Sequence, residues 1–525
     1  MAYIDLPCDS ASVWSKLLDL YKDVAACCDE SSLCSTLEQI ARTAGGGDES
    51  AIGGLRAFFK SSEDAPRFFG TTLPFIAETA SQLKVELDKE IKRIPFCSAV
   101  HRTVSLSRRL VATLLANALL CAFPHEKKGS FSFVQFYKGL SHVEADRRSS
   151  QAAKFKCILH YFDRVREIGL AGLNGYIMIR RHKAKSLQMK DWLSNADPLC
   201  HVEVLSRGSI EDAGSMALQA DFAARHLGGG VLRTGRVQEE IRFCINPELL
   251  VSVLLVKPMD SNEAVSIQGT ERFSRYSGYG RTLKYAGDYQ DSNQCDKWGA
   301  PLTKIVAMDA LNLGRASAKD QYSEEKIGRE LTKSYAAFHS PVPDLSPELP
   351  LFAATLSKEI ITEALTSHLN STDRWASNFV SRPIEEATSL DAFADGIAND
   401  VIRLAQPESW ANHFAGKILS SASDSLQAGY RAVATGNWGC GAFGGDPQLK
   451  SMIQWIATSA SGRPAMLYYS FDDTRVAELK PLVDGISAAR WNIKRLMKAL
   501  LDYERAQKKH PKTTLFDFLQ SELQR

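Results

Sequence analysis

The stretch HLGGGVLRTGRVQEEIRF, residues 226–243, sets three consecutive glycines seven residues ahead of Gln238, Glu239 and Glu240. Glycines without side chains accept positive φ and let a ligand come close to the backbone. Neighbouring side chains diverge, by roughly 100° on a helix and to opposite faces on a strand. The two glutamates are therefore expected to do different jobs. Asn246 and Pro247 read as the cap and first residue of the next helix, which puts the acidic pair at the end of a loop just upstream. A glutamate keeps its proton near neutral pH when it is buried or crowded by a second carboxylate. Glycosidic cleavage needs such a proton for the leaving oxygen. The competing reading is a solvated helix start, where acidic residues suit the helix dipole.

A second glycine-rich stretch, ATGNWGCGAFGGDPQLKSMIQ at residues 434–454, crowds Gly436, Gly439, Gly441, Gly444 and Gly445 ahead of Asp446 and Pro447. Asp is a preferred cap and Pro suits the first helical position, so a helix is predicted from Pro447. A bare loop feeding a helix N-terminus offers N–H groups and a favourable dipole to a diphosphate. It is neither a Walker loop nor a clean dinucleotide fingerprint. A tight turn packed around Trp438 and Phe443 is the alternative.

Outward from these loops, the chain changes texture. Residues 1–165 read as a helical accessory domain: DSASVWSKLLDLYKDVAACC carries Val13, Leu17, Leu18 and Tyr21 at helical spacing, and SQLKVELDKEIKRI and SLSRRLVATLLANALL continue in that style. The apolar run at 110–123 falls short of the roughly 20 residues a membrane span needs, and is predicted as a buried helix. Residues 166–525 interleave strand-like GYIMIRRHKA, HVEVLSRGSI, ALQADFA, EAVSIQGTERF, KIVAMDAL and AMLYYSF with helical stretches, as a layered α/β domain does. A Pro-rich connector and three amphipathic stretches predict a helical insertion at about 340–428, and helices close the chain at about 478–525. The basic runs at 180–185 and near the C-terminus suit a solvated face, a strand end or a nuclear address.

The bulk numbers fit an ordinary folded chain: 525 residues, 44% hydrophobic, net charge +2. The start lacks the apolar core of a secretory signal. Eleven cysteines without a CxxC pair match neither a disulfide framework nor a zinc site, and free thiols suit a reducing intracellular compartment. No metal or cofactor is expected.

The triple glycine, the seven-residue spacer and Gln-Glu-Glu resemble the signature of poly(ADP-ribose) glycohydrolases. LQADFAARHLGGG, QEEIRFCINPELL, GTERFSRYSGYG, VAMDALN and VATGNWGCGAFGGD also resemble segments of that family, in the family's order. The likeness spans most of residues 195–340 and 428–475, and more loosely the helical N-terminal region. It implies a macrodomain-like α/β core, a mixed central sheet flanked by helices, with the helical accessory domain and insertion added. It implies cleavage of the ribose–ribose bonds of poly(ADP-ribose), mainly from the chain end. Glu240 is then the general acid that protonates the leaving 2′-oxygen and afterwards helps a water to attack. Glu239 positions ribose hydroxyls, Gln238 shapes the loop, and Asp221 orders loop and ligand.

By the same resemblance Gly228, Gly229 and Gly230 admit the distal ribose and diphosphate. Gly441, Ala442 and Phe443 form the diphosphate loop, with Asn437 close to the ligand. Tyr279 closes over the ADP-ribose, Phe471 stacks on the adenine, and Ile210 and Glu211 read its edge. The implied partners are poly(ADP-ribose) and the proteins carrying it, with no nucleic-acid requirement and no membrane. A monomer is expected, in the nucleus or in nucleus and cytoplasm both. Two departures stand out: Ala224 where the family commonly has Asn, a contact that Arg225 or His226 could supply, and the 340–428 stretch, which suggests a divergent, perhaps protozoan, member. A reader that binds the polymer without cutting it is the alternative, although such a protein would not need the acidic pair.

Overall fold

The computed structural model describes residues 3–339, apart from 47–48, 61, 99–102, 125–130, 142–144, 185–186, 297 and 315–317, and residues 431–525. The expected helical insertion lies outside the described residues. Ten strands are present among them: β1 Thr103–Ser107, β2 Tyr176–Lys183, β3 His201–Leu205, β4 Ala217–Asp221, β5 Glu263–Gln268, β6 Ser274–Ser277, β7 Lys284–Asp288, β8 Lys304–Ala307, β9 Ala432–Gly436 and β10 Ala465–Tyr469. Eight of them form one mixed sheet in the order β1-β2-β5-β8-β4-β9-β10-β3. From β8 to β3 the neighbours are parallel, while β1, β2, β5 and β8 pair antiparallel. The separate β6–β7 hairpin carries the SRYSGYG segment.

Each strand-like segment read from the sequence becomes a strand; the inner strands β4 and β5 are buried along their whole length, as strands covered on both faces are, while β3 at the edge exposes His201 and Glu203. In β5 and β8, Val265, Ile267, Ile305 and Ala307 face one core, while Ala264 and Val306 face another. Two strands of the main sheet and both strands of the β6–β7 hairpin escaped that reading. β1 comes from the N-terminal part, which is otherwise mainly helical, and forms the edge of the sheet beside β2. β9 begins within a stretch read as helix and supplies a central parallel strand.

The apolar run at 110–123 lies largely in the helix Arg108–Leu119, nearly all of it buried. The helix Ala145–Ile168 belongs to the same layer. The apolar side chains of these helices and those on one sheet face form a single continuous core. The N-terminal helical part is thus packed against one face of the sheet as a helical layer. The opposite side packs against helices Glu324–Phe338, Pro447–Ala460, Leu479–Ala488, Ile493–Lys509 and Leu515–Leu523. The basic run at 180–184 lies in and just after β2. Its Arg181 is buried against Glu263 at 2.5 Å, so this part of the run is a strand end with a committed cation.

Candidate active site

In an open sheet with parallel strands, a crevice forms beyond their carboxyl ends. Those ends are where the residues singled out from the sequence gather. β4 ends at Asp221 and leads to the triple glycine; β9 leads to Asn437 and the second glycine loop; β10 leads to Phe471; β3 leads to Ile210 and Glu211.

The acidic pair is not at the end of a loop. Gln238, Glu239 and Glu240 are the first turn of the helix Gln238–Ile245. The next element is a 3-10 turn, Pro247–Leu250, so Asn246 and Pro247 mark a break between two helical pieces. Nor is the pair solvated: Glu239 is 3% and Glu240 6% exposed. Both carboxylates fold back onto the glycine turn. Glu239 Oε1 accepts the Gly228 N–H at 2.6 Å, and its Oε2 accepts Ala224 N–H at 2.8 Å. Glu240 Oε1 accepts Gly230 N–H at 2.8 Å, and its Oε2 accepts Val237 N–H at 2.8 Å. The two glutamates do bond different groups, as their divergent stems require, but they serve one turn.

Glycine is needed in that turn for two reasons. Gly228 and Gly229 have φ of +86° and +52°. A β-carbon at Gly229 would also stand 2.5 Å from Glu239 Oε2 and 2.6 Å from Glu240 Oε1. Gly229 itself is exposed, so the turn presents bare backbone outward while two carboxylates press from behind.

Asp221 adds a third carboxylate. It is 1% exposed, and neither oxygen finds a hydrogen-bond partner among the described residues. Burial pushes its pKa up to about 7, against the pull of Arg242 and with help from Glu240. Burial likewise raises Glu239 well above the usual carboxylate range, with Asp221 and Glu240 adding to the effect. A buried carboxylate surrounded by others retains a proton because a second negative charge has no water to screen it. Asp221 and Glu239 therefore hold their protons to higher pH than an exposed carboxyl does.

Gln238 does shape the surrounding backbone. Its Oε1 accepts Phe222 N–H at 2.8 Å, and its Nε2 donates to the Ala220 carbonyl at 3.3 Å, clamping the exit of β4. Its own N–H donates to the Tyr279 hydroxyl at 3.1 Å. Tyr279, at the tip of the β6–β7 hairpin, is otherwise 56% exposed and overhangs the acidic turn. Beside Ala224, Arg225 Nε donates to the Met259 carbonyl. What position 224 contributes is its N–H to Glu239, which any residue but proline would offer.

On the other side of the crevice, the predicted helix Pro447–Ala460 begins as expected, with Asp446 Oδ1 accepting Gln448 N–H at 2.8 Å. Asp446 also accepts the Tyr322 hydroxyl, and its own N–H is taken by Gln321 Oε1. Asp446 thus ties the start of this helix to Gln321 and Tyr322. In the loop ahead of it Gly441 and Ala442 are exposed, while Phe443 packs partly against the core around Trp438. The aromatics of this loop pack inward, while Gly441 and Ala442 face out.

Asn437 braces this loop, accepting the Tyr468 hydroxyl at 2.8 Å and donating to the Ser470 carbonyl at 2.9 Å. Phe471 is 48% exposed, and it and Asp472 sit at φ of +52° and +53°. Left-handed backbone at two successive non-glycine residues is costly and turns a bulky ring outward. The Ile210 side chain is buried beside Tyr469, leaving its backbone for any ligand contact. Glu211 accepts the Tyr276 hydroxyl at 2.6 Å. Tyr276 is one partner that sequence reasoning missed; Lys154, buried behind the acidic turn, is another.

The chain was compared with known proteins. A family model for the macro domain fold of poly(ADP-ribose) glycohydrolase matches residues 189–478, and one for the helical domain of the same enzyme matches residues 60–181. Poly(ADP-ribose) glycohydrolase 1 of Arabidopsis thaliana is 34% identical over 417 residues, covering 78% of this chain and 71% of that one. The probable poly(ADP-ribose) glycohydrolase 2 of the same plant is 29% identical over 477 residues, covering 86% and 82%. Poly(ADP-ribose) glycohydrolase 1 of Caenorhabditis elegans is 28% identical over 387 residues, covering 71% of this chain and 37% of that protein. The chain belongs to the poly(ADP-ribose) glycohydrolase family.

Proposed function

We propose that this chain hydrolyses the ribose–ribose O-glycosidic bonds of poly(ADP-ribose), mainly from the chain end, to release ADP-ribose, with Glu240 as general acid. The observation that carries the reading is the convergence of Glu239, Glu240 and Asp221, all buried, behind a glycine turn whose outer face is open.

In this mechanism the exposed backbone at Gly229 admits the ribose and the loop at Gly441 to Phe443 holds the diphosphate. Phe471 carries the adenine, with Ile210 and Glu211 along its edge, and Tyr279 closes over the ligand. Glu240 gives a proton to the leaving 2′-oxygen as the anomeric C–O bond breaks. The positive charge that grows on the anomeric carbon is stabilised by the diphosphate nearby. Glu240, now a carboxylate, takes a proton from the incoming water, which adds to that carbon and restores the acid. Glu239 holds ribose hydroxyls, and Asp221 keeps the exit of β4 and the ligand in order. The partners in this reading are proteins that carry the polymer; the chain works as a monomer, and its compartment follows the substrate to the nucleus.

The test is incubation with an automodified polymerase, following free ADP-ribose. Glu240→Gln is expected to bind ADP-ribose like the parent while release drops by about 100- to 10,000-fold, the range a general acid supplies. Release at the parental rate would remove Glu240 from the acid role. Binding of polymer without release by the parent chain would make it a reader.

A further inference from the structure

We propose that Lys154, which comes from the helical layer, is a positioning residue for the reaction: it fixes the turn at 230–235 and thereby sets where the Glu240 carboxyl stands. This rests on the reading of Glu240 as the acid. Lys154 lies in the helix Ala145–Ile168 and is fully buried. Its ammonium donates to the Gly235 carbonyl at 2.7 Å, the Arg233 carbonyl at 2.9 Å and Gln151 Oε1 at 3.4 Å. The Phe136 ring centroid lies 5.1 Å away. Among the described residues no carboxylate stands within ion-pair distance of it.

The connection to the acid runs through backbone. Gly235 N–H donates to the Gly230 carbonyl at 3.0 Å, closing the turn, and Gly230 N–H is the donor to Glu240 Oε1. Gly235 also abuts the Glu240 carboxyl directly. Two further contacts fasten the loop to the helical layer: Arg236 donates to Ser150 Oγ at 3.1 Å, and Thr234 lies against Gly139. Burying a bare ammonium is costly, and a neutral amide donor would bind carbonyls at less cost. A lysine retained here contributes its charge. The groups facing it are Glu240 and Cys244 from the helix Gln238–Ile245 and Arg236 from the loop. Burial holds the Lys154 pKa down at about 8, with Cys244 and Glu240 opposing the fall. It loses its proton within an accessible pH range, whereas an arginine at the same place would not.

The experiment compares the full-length parent, Lys154→Met and Lys154→Arg for ADP-ribose release, ADP-ribose affinity, melting temperature and pH profile. Lys154→Met is expected to lower kcat by about 10- to 100-fold with KM and affinity nearly unchanged, since a misplacement of about 1 Å at a reacting group costs about 100-fold. The parent is expected to lose kcat as pH rises through about 8, and Lys154→Arg to retain activity beyond that point. A parental kcat in Lys154→Met overturns the proposal. So does a loss explained wholly by the unfolded fraction, or an alkaline limb unchanged in Lys154→Arg. Should Lys154→Met fail to fold, the pH profiles of the parent and Lys154→Arg decide. If Glu240→Gln remains active, the acid assignment fails; if it is inactive and Lys154→Met is not, only the positioning role fails.

Discussion

Gly235 and Glu240 leave no room between them: a β-carbon on Gly235 would stand 2.6 Å from Cδ and Oε1 of the glutamate. The glycine is not in a left-handed conformation, so the backbone would tolerate alanine and the whole cost falls on the carboxyl.

Gly235→Ala is therefore expected to displace the acid rather than unfold the chain. The kcat for ADP-ribose release should fall about 10- to 100-fold, by the same sensitivity to sub-ångström placement, with a small change in melting temperature. Parental turnover in Gly235→Ala would show that Glu240 has slack in its seat.

Asp221 predicts a pH dependence of stability. Its pKa is about 7 in the folded chain against an ordinary 3.8. Below pH 3.8 both states hold the proton. Between 3.8 and about 7 the unfolded chain has released it and the folded chain has not, so stability falls as pH rises; above about 7 the penalty is constant. Asp221→Asn cannot lose a proton. Its unfolding free energy relative to the parent, followed by denaturation at each pH, should climb from pH 4 to pH 7 and then level, by an amount on the order of a few kcal/mol. A pH-independent difference would show that the buried carboxylate is compensated.

Phe471 combines exposure with a left-handed backbone, and the two can be separated. Phe471→Ala should weaken ADP-ribose by about 1–3 kcal/mol, the worth of one stacked base. Phe471→Gly should weaken it equally but melt higher than Phe471→Ala, because glycine removes about 1 kcal/mol of backbone cost at φ of +52°. Calorimetry with ADP-ribose and thermal melts of both variants check the pair. Unchanged affinity in both would take Phe471 out of the adenine site.

Much of this was legible along the chain. Runs of β-forming residues bounded by turn residues mark β2, β3, β4, β5, β8 and β10 along the chain. Asp446 and Pro447 announce their helix, since capping is a local interaction. β1, β6, β7 and β9 were missed: β1 lies among helical segments and takes its strand identity from pairing with the distant β2, and β9 begins within a stretch read as helix and is defined by pairing with β4 and β10. The acidic pair was placed in a loop because Asn246 and Pro247 look like a helix start. In the fold, the preceding helix begins instead at Gln238, where Glu240 accepts the free Val237 N–H.

By itself the sequence determined the glycine spacing, the three carboxylates and the alternation that makes a sheet, all carried by residues close together in the chain. Only the tertiary structure decided that Asp446 ties its helix to Gln321 and Tyr322 and that Lys154 reaches 81 residues along the chain to grip Gly235. Whether a carboxylate keeps a proton depends on how much water and how many charges surround it. Those surroundings are assembled from segments that meet only when the sheet and its helical layer have packed together.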